Sequence, residues 1–299
     1  MKVLVTGATG FIGSSIVGEL SRRGHDVIGL ARSDNAADGL FKSGLEVHRG
    51  DIADPESVVS ALHRVDAVVH TAFNHDFSRY LDNCRADGRL LDALARKLEG
   101  TDKPLIATSG TIVTATSEVT TENDDASDQV PRSASEAFLS YADCGVQTSV
   151  VRLPPTVYGR GDTAFVPALI ALARERGVSA YIGDGANRWP GVHRNDAAKL
   201  FCDVVELPRS GARYHAVAES GIPFRTIAEA IGEGLGVPAE SIPPGRAEAQ
   251  FGWLAMFAAI DTPASSEWTR NATGWAPREQ TLIETMHNAG YFDLPTAGE

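Results

Sequence analysis

The 299-residue sequence lacks the features that define several classes of protein. It has three cysteines, Cys84, Cys144 and Cys202, and their wide spacing fits no metal-ligand motif and indicates reduced thiols. It has no run of about 18 apolar residues, so no membrane-spanning helix is expected. The first residues, MKVLVTGATG, contain too short an apolar run and too many glycines for a signal peptide. These absences predict a soluble, cytoplasmic protein.

Long basic segments are also missing, and the formal net charge is −12. This charge argues against nucleic acid or an anionic membrane as the main partner. Apolar residues make up 43% of the chain and charged residues 22%, proportions typical of a globular protein. We therefore expect a small-molecule substrate as the partner. Self-association as a homodimer is left open, and no metal site is predicted.

Short β-branched runs alternate with stretches of helical period over the first half of the chain. They predict strands at 2–6, 26–31, 45–49, 66–71, 104–109 and 148–153. Helices are expected near 12–23, 55–63, 77–98 and 132–144. This alternation predicts βαβ units, a parallel sheet covered by helices on both faces, and a binding crevice at the carboxyl ends of the strands. After about residue 155, glycine and proline become frequent, which indicates a second lobe.

The segment TGATGFIG, residues 6–13, follows the first predicted strand directly and opens a helix. In that context a glycine motif indicates dinucleotide binding. Gly7 would permit the tight turn, Gly10 would let the backbone approach a pyrophosphate, and Gly13 would allow close helix–strand packing. The helix also offers unpaired N–H groups and a positive dipole end to the phosphates. The cofactor contacts predicted here are Gly7, Thr9, Gly10, Phe11, Ile12 and Gly13.

The second predicted strand ends in GLARSD, where a carboxylate would bind a ribose 2′-hydroxyl and an arginine would suit a 2′-phosphate. Arg32 and Ser33 occupy that place, so NADP(H) is expected to be preferred, with NAD(H) still open because Asp34 is close. Arg32 could instead be a solvated surface charge. Asp51 and Ile52, after the third strand, are expected to flank the adenine, although Asp51 could equally be a turn or capping residue.

These motifs, with VVHTA, VRLPPTVYGRGD, GVHRNDAAKLF and TGWAPREQTLIETM, resemble the extended short-chain dehydrogenase/reductase superfamily of the NAD-dependent epimerase/dehydratase type. The resemblance covers nearly the whole chain. It implies an α/β fold: a doubly wound Rossmann sheet of about seven parallel strands and a small carboxyl-terminal substrate lobe. It implies a dinucleotide-binding domain over 1–155 and a substrate lobe over most of 156–299, with a segment near 193–218 returning to the first domain. It adds cofactor contacts at Thr71, Ala72, Arg132 and Pro154.

The sequence departs from this family where the catalytic Tyr-x-x-x-Lys is expected. Aligning Glu136 with the family's glutamate places Asp128 at the tyrosine position and Arg132 at the lysine position. The family's asparagine is not clearly present either, since Asn83 is out of step. Tyr141 forms an apolar stripe with other residues of this predicted helix and is expected to lie in the core. The other members of that stripe are Ala134, Ala137 and Phe138. The resemblance therefore implies an atypical subgroup that keeps the cofactor site, with Arg132 contacting the ribose.

Other candidates for catalysis must lie where the strands end, because the crevice is there. His75 follows the fourth strand, titrates near neutral pH and has Asp76 beside it. Tyr158 follows the sixth strand and resembles a residue that lines the family's substrate pocket. The family's serine position falls on Gly110, and its neighbours Ser109 and Thr111 are expected to hydrogen-bond the nicotinamide or a substrate oxygen.

The segment GDGANRWPGVHRND, residues 183–196, corresponds to a wall of the family's substrate pocket. Trp189 would supply a flat apolar surface and His193 a polar contact, while packing between the lobes is the alternative for Trp189. Asp196 is expected to cap the following helix. Three arginines could bind an anionic substrate or could simply be solvated: Arg160, Arg188 and Arg194.

Together, these features predict an NADP(H)-dependent oxidoreductase that transfers a hydride to or from a small carbonyl or alcohol substrate. The proton would come from His75, Tyr158, His193 or water. A nucleotide-sugar epimerase is disfavoured because its chemistry relies on the missing tyrosine. A non-catalytic NADP-binding sensor or interaction protein is the alternative, favoured by the loss of the usual catalytic residues.

Overall fold

The computed structural model of the protein describes residues 1–114 and 118–293, apart from the side chain of Phe77. The strands are β1 (Lys2–Thr6), β2 (Asp26–Ala31), β3 (Glu46–Arg49), β4 (Ala67–His70), β5 (Pro104–Gly110), β6 (Gln147–Leu153), β7 (Thr156–Tyr158), β8 (Ser179–Ile182), β9 (Arg188–His193), β10 (Ala212–His215), β11 (Glu219–Pro223) and β12 (Ala239–Ile242). The α-helices are α1 (Phe11–Arg22), α2 (Asp34–Lys42), α3 (Pro55–Val59), α4 (Tyr80–Leu98), α5 (Phe165–Arg176), α6 (Arg194–Glu206), α7 (Phe224–Leu235), α8 (Ala247–Phe251), α9 (Ala255–Ala259), α10 (Glu267–Thr273) and α11 (Leu282–Asn288). The 3₁₀ helices are Leu62–Arg64, Phe77–Arg79, Thr111–Thr114, Pro131–Cys144, Pro244–Arg246 and Gly252–Leu254.

A seven-stranded parallel sheet forms the centre of the molecule, in the order β10-β6-β5-β4-β1-β2-β3. The β-branched and apolar runs form its central strands because both faces are covered by helices; Val3, Leu4 and Val5 are fully buried. This order is that of a doubly wound Rossmann sheet, so the predicted fold class is confirmed. The strand β10 extends the sheet beside β6, and α6 packs on α1 in the same layer.

The helix α2 is missing from the expectations because it contains only two large apolar residues, Leu40 and Phe41. Of its residues only Leu40 is buried, so the helix lies on the surface of the sheet layer. Its start is fixed by Ser33, whose Oγ accepts a hydrogen bond of 3.2 Å from Ala36 N. The capping serine, rather than hydrophobic spacing, is the sequence signal for this helix.

The segment Pro131–Cys144 forms a long 3₁₀ helix where a helix near 132–144 is predicted. With three residues per turn, its buried positions fall at 135–136 and 138–139. The predicted apolar stripe is therefore wrong in part, since Ala137 is exposed. Tyr141 is half-buried rather than in the core, and its hydroxyl donates to Asp92 Oδ1 at 2.6 Å.

The second lobe contains two small sheets, β11-β9-β7 and β12-β8, packed with α5 and α7. Its core is built from large aromatic and aliphatic side chains, including Trp189, Phe224 and Ile227. The last residues, 294–299, lie outside the described part of the chain. No helix in the described ranges is long and apolar enough to span a bilayer.

Candidate active site

The glycine turn between β1 and α1 has a geometry that only glycine permits at two positions. Gly7 has a φ of +68°, and a Cβ there would lie 2.8 Å from Thr71 Oγ1 and 2.9 Å from Ala72 N. A Cβ on Gly13 would lie 2.0 Å from the Gly7 carbonyl oxygen, because α1 packs directly on the turn. The turn is closed by a hydrogen bond of 2.8 Å from Gly10 N to Gly7 O.

The start of α1 fits a pyrophosphate. Gly10 is the N-cap residue, so no side chain competes for the first N–H groups, and the first turn contains no acidic residue. A helix of this length presents unpaired donors and a positive dipole end at that position. Phe11 and Ile12 lie in this first turn, and Thr9 is exposed just before it. A pyrophosphate would replace the water that otherwise solvates these donors.

Thr6, Thr71 and Ala72 fix the turn to the end of the neighbouring strand. Thr71 Oγ1 donates to the Thr6 carbonyl at 2.7 Å, and the N–H groups of Thr71 and Ala72 each donate to Thr6 Oγ1 at 3.2 Å. The two cofactor contacts predicted after β4 therefore lie directly against Gly7. Pro154, predicted after β6, is buried at the end of that strand.

Two arginines lie at the ends of β2 and β3, where a dinucleotide's adenosine ribose would bind. Arg32 is exposed, and its carbonyl accepts a hydrogen bond of 3.2 Å from the guanidinium of Arg49. Arg49 also forms an ion pair of 2.9 Å with Asp34. The sequence interpretation missed Arg49, although the parallel register pairs it with Ala31. The Ser33 hydroxyl caps α2, so it has a structural role there.

Asp51 and Ile52 follow β3 as a tight turn. Asp51 Oδ1 accepts a hydrogen bond of 2.9 Å from Ala53 N, which corresponds to the turn alternative for this residue. Ile52 is half-buried against the apolar core beneath the sheet. Both remain predicted contacts of the adenine.

Arg132 is held in a buried ion pair where the family's lysine is expected. One terminal nitrogen donates to Asp87 Oδ2 at 2.7 Å and the other donates to the Thr108 carbonyl at 2.9 Å. The guanidinium carbon lies 4.0 Å from the centre of the Phe73 ring. Arg132 therefore places a fixed positive charge at the ends of β4 and β5.

His70 continues this network into the glycine turn. Its Nε2 lies 2.9 Å from Asp87 Oδ1, and its Nδ1 lies 2.8 Å from Thr6 Oγ1. Because Thr6 Oγ1 already accepts two N–H groups, its own proton points to Nδ1, and the Nε2 proton of a neutral His70 points to Asp87. Burial opposes ionisation of Asp87, but His70 and Arg132 outweigh it and lower the pKa of that carboxyl.

Thr111 and Ser109 are buried at the end of β5. Within the described residues, the Thr111 hydroxyl makes no hydrogen bond, so it has donor and acceptor capacity to spare. Ser109 lies on the side of Glu136, a buried carboxyl that forms a two-pronged ion pair with Arg152. Burial opposes ionisation of Glu136, and Arg152, with a smaller contribution from Ser109, lowers its pKa.

Tyr158 and Trp189 lie in the core of the second lobe. The sequence interpretation expected Tyr158 at the substrate pocket, and it left Trp189 either as a wall of that pocket or as a packing residue. The Tyr158 hydroxyl donates to Glu219 Oε2 at 2.7 Å, and burial followed by the Glu219 charge raises its pKa. Trp189 is 1% exposed, and its indole N–H donates to the Phe257 carbonyl at 3.2 Å. Both polar groups are satisfied inside the lobe, because buried donors need acceptors. Trp189 therefore packs within the core of the second lobe, and not between the two lobes as the packing alternative had it.

His193, rather than Asp196, caps the helix α6. The His193 Nδ1 accepts a hydrogen bond of 3.2 Å from Asn195 N, and burial lowers the pKa of the ring. Asp196 is buried in the first turn and accepts hydrogen bonds of 2.9 Å from Arg278 N and Glu279 N. Its carboxylate therefore joins α6 to the carboxyl-terminal segment.

The three arginines of the second lobe lie in different surroundings. Arg188 forms an ion pair of 2.8 Å with Asp261. Arg160 is exposed. Arg194 is half-buried, and its guanidinium carbon lies 5.1 Å from the centre of the Phe11 ring.

His75 lies in the loop after β4, within reach of the Arg132 charge. Its ring meets Phe73 edge-on with 5.4 Å between centroids. The residue His75 is exposed to solvent. Partial burial of its ring, followed by the nearby Arg132 charge, nevertheless lowers the pKa of the imidazole. The neighbouring Asp76 accepts hydrogen bonds at its Oδ1 from Ser78 N at 3.0 Å and from Ser78 Oγ at 2.6 Å.

Tyr80, the first residue of α4, is a crevice residue that the sequence interpretation missed. Its ring lies edge-on to Phe73 at 6.3 Å. Burial raises the pKa of its hydroxyl to about 12, and the nearby Arg132 charge opposes that shift. The apolar spacing along α4 does not distinguish Tyr80 from the other residues of this helix. Asn83 lies one turn further along and donates to the carbonyls of Asn74 and Asp76, which fixes the preceding loop.

Asp128, at the family's tyrosine position, is exposed just before the 3₁₀ helix Pro131–Cys144. It lines an open surface groove together with Arg85 and Gln129.

Glycine turn, helix terminus and strand order together define a dinucleotide-binding Rossmann protein. The profile of the NAD dependent epimerase/dehydratase family matches residues 3–218. The chain belongs to this family, and the resemblance seen in the sequence is confirmed.

Several known proteins are similar over most of the chain. The uncharacterized protein C2A9.02 of Schizosaccharomyces pombe is 44% identical and covers 98% of this chain and 100% of its own length. The 2-alkyl-3-oxoalkanoate reductase of Stenotrophomonas maltophilia is 29% identical over 80% of this chain and 77% of that protein. The dTDP-glucose 4,6-dehydratase DesIV of Streptomyces venezuelae, solved with NAD bound, superposes with a TM-score of 0.78 at 20% identity, covering 98% of this chain and 96% of its own. The last similarity concerns the fold.

Proposed function

We propose that the protein is an NADP(H)-dependent oxidoreductase that interconverts a small carbonyl compound and its alcohol. The observation that carries the proposal is the glycine turn, where a Cβ on Gly13 would lie 2.0 Å from Gly7 O. Because glycine at this position lets α1 pack against the turn, the first N–H groups of the helix lie at the ends of the strands, where a nicotinamide cofactor would bind. The similarity to a bacterial oxoalkanoate reductase supports a reductive reaction.

When bound, the cofactor would supply a hydride to the carbonyl carbon, and the protein would supply the proton to the oxygen. Thr111 offers a hydroxyl without a partner in the described residues, suited to hold that oxygen. Arg132 supplies a fixed positive charge that stabilises developing negative charge on the oxygen. Tyr80 and His75 both lie close enough to Arg132 for its charge to act on their pKa values, so we take these two residues as the candidate proton donors.

Between these two, we favour Tyr80. A phenol whose pKa is about 12 stays protonated across the physiological range, and Arg132 beside it takes the part of the family's lysine charge. His75 would have to be protonated to act as the acid, and its pKa lies below the ordinary value. The lowered pKa disfavours the protonated, acid form of His75 near neutral pH.

The direct test is NADPH oxidation by the purified protein with a panel of aldehydes, ketones and 3-oxo acids. Turnover with at least one carbonyl, together with formation of its alcohol, would support the proposal. Tight NADPH binding without turnover of any of them would favour a non-catalytic NADP-binding protein instead. This second candidate is supported by Asp128, an exposed residue at the position of the family's catalytic tyrosine.

The first expected result concerns cofactor choice. Arg32→Ala should weaken NADPH binding by about 10- to 100-fold, because a charge-assisted hydrogen bond contributes about 1.5–3 kcal/mol. Arg49→Ala should weaken it by a smaller factor, since Asp34 already partly neutralises that side chain. NADH binding should change little in either variant. Calorimetric titration with both cofactors measures this, and equal affinity of the unmodified protein for NADH and NADPH would contradict it.

The second concerns the proton. Tyr80→Phe should lower reductive turnover by about 10²- to 10⁴-fold, as expected for a displaced general acid, and leave cofactor affinity unchanged. Tyr141→Phe is the matched control, because its hydroxyl binds Asp92 away from the crevice. With Tyr80 as the donor, turnover should stay level as pH rises from 6 to 8. A loss confined to His75→Ala, with activity that falls as pH rises toward neutrality, would assign the proton to His75 instead.

A further inference from the structure

The first turn of α6 lies beside the glycine turn, although α6 follows the second lobe's strand β9 in the chain. The Ser15 hydroxyl of α1 donates to Asn195 Oδ1 at 3.4 Å, which joins the second turn of α1 to the first turn of α6. His193 caps α6 at this point and fixes where the helix begins. Arg194 is consequently the first helical residue next to the amino end of α1.

The Arg194 side chain extends over this end of α1. Its guanidinium carbon lies 5.1 Å from the centre of the Phe11 ring, and Phe11 is the first residue of α1. A cation held above an aromatic face in this way keeps its charge within one turn of the N–H groups of that helix. The guanidinium therefore adds its charge to the positive end of the α1 dipole.

The loop after β7 leaves room for this side chain. Gly159 has a φ of +144°, and a Cβ there would lie 3.1 Å from Arg194 Cγ. Gly161 has a φ of +86°, and a Cβ there would lie 4.0 Å from an Arg194 terminal nitrogen. The two glycines thus leave room for the Arg194 side chain, Gly159 beside its aliphatic part and Gly161 beside its guanidinium.

The charge of Arg194 also has no counter-ion among the residues that the structure describes. None of the ion pairs formed within residues 1–114 and 118–293 includes Arg194, whereas Arg188 of the same lobe pairs with Asp261. Arg194 is thus a half-buried arginine without a carboxylate partner in the described residues, and it lies next to a helix start that has no capping side chain. The guanidinium and the helix start together suit a dianionic ligand.

We propose that Arg194 binds the pyrophosphate of the dinucleotide, so that the second lobe supplies one of its anchors. The guanidinium would meet the phosphate oxygens from the side opposite the N–H groups of α1. This contact would be shared by NADH and NADPH, in contrast to any contact of Arg32 with the 2′-phosphate. The inference rests on the dinucleotide site and does not require the reductase activity.

The test is calorimetric titration of the unmodified protein, Arg194→Met and Arg194→Lys with NADPH, NADH and adenosine 2′-monophosphate. Methionine keeps the aliphatic volume against Phe11 and removes the charge, so it should weaken both dinucleotides by the same factor of about 10 to 100. Adenosine 2′-monophosphate lacks the pyrophosphate and should bind equally well to every protein. Lysine should restore most of the affinity. Arg188→Met, which removes a paired arginine of the same lobe, serves as the control and should bind all three ligands normally.

Several results would overturn the proposal. Equal binding of both dinucleotides to Arg194→Met and to the unmodified protein would show that Arg194 does not touch the cofactor. Weaker binding of adenosine 2′-monophosphate to Arg194→Met would show an effect on the site as a whole. An unmodified protein that binds neither dinucleotide would refute the dinucleotide site itself, an outcome distinct from the first two.

Discussion

Gly13→Ala is expected to abolish measurable NADPH binding and to lower the free energy of unfolding by about 3 kcal/mol. The added Cβ would lie 2.0 Å from the Gly7 carbonyl oxygen and 3.1 Å from Thr71 Oγ1. The backbone oxygen cannot move without opening the turn, because Gly10 N bonds to it. Overpacking of this kind costs about 1–3 kcal/mol and more where backbone must shift. The displaced turn would no longer present the first N–H groups of α1 together.

Gly18→Ala is the matched control in the same helix. Gly18 is exposed, and a Cβ there would meet nothing within 4 Å. Replacing a helical glycine by alanine should therefore stabilise the protein by about 0.5–1 kcal/mol and leave cofactor binding unchanged. Urea unfolding and NADPH titration of both variants decide the matter. Binding of NADPH by Gly13→Ala within threefold of the unmodified protein would refute this account of the turn.

The sheet and the glycine turn could be predicted because their signals are local. Most strands of the Rossmann sheet up to β6 are short runs rich in β-branched or other aliphatic residues, and the observed bounds of β1 and β2 are those expected, Lys2–Thr6 and Asp26–Ala31. The glycine motif directly follows β1, so its meaning depended on the next few residues only. The helix α2 was not predicted because Leu40 is its only buried residue, so the helix carries little apolar signal.

The charged network at the crevice could not be predicted, because its members are far apart in the chain. Asp87 meets His70 from 17 positions away and Arg132 from 45 positions away. The sole local hint was a histidine at the end of the buried strand β4. Trp189 shows the reverse case. A tryptophan among loop glycines suggests a pocket wall, but the large apolar ring was needed to fill the core of a small lobe.

These buried charges have a consequence for stability as well as for the site. Asp87→Ala is expected to lower the free energy of unfolding by about 3–5 kcal/mol at pH 7, because it leaves the Arg132 guanidinium and the His70 N–H without their partner. Asp82→Asn on the same helix is the control. Asp82 forms a distant, exposed pair of 3.8 Å with Arg85, so its loss should cost less than about 0.5 kcal/mol.

The double variant Asp87→Leu with Arg132→Met should recover much of the stability lost in Asp87→Ala, because no buried charge is then left unpaired and only the His70 N–H still lacks its acceptor. The same variant should have lost reductive turnover, since the crevice would lack its fixed cation. Recovered stability with lost turnover would separate the structural part of the network from its catalytic part. Equal destabilisation by Asp87→Ala and by the double variant would contradict the ion-pair explanation.

The pH dependence of unfolding provides a separate check on Asp87. Its pKa in the folded protein lies below the ordinary value, so ionised Asp87 stabilises the fold at any pH above its unfolded pKa of about 3.9. That stabilisation should be lost as pH falls from about 4 through the lower folded pKa, where the carboxyl takes up its proton. Urea unfolding between pH 7 and 3 should therefore show a decline in the unmodified protein that is smaller in Asp87→Asn. Parallel declines in the two proteins would mean that Asp87 has the same pKa folded and unfolded.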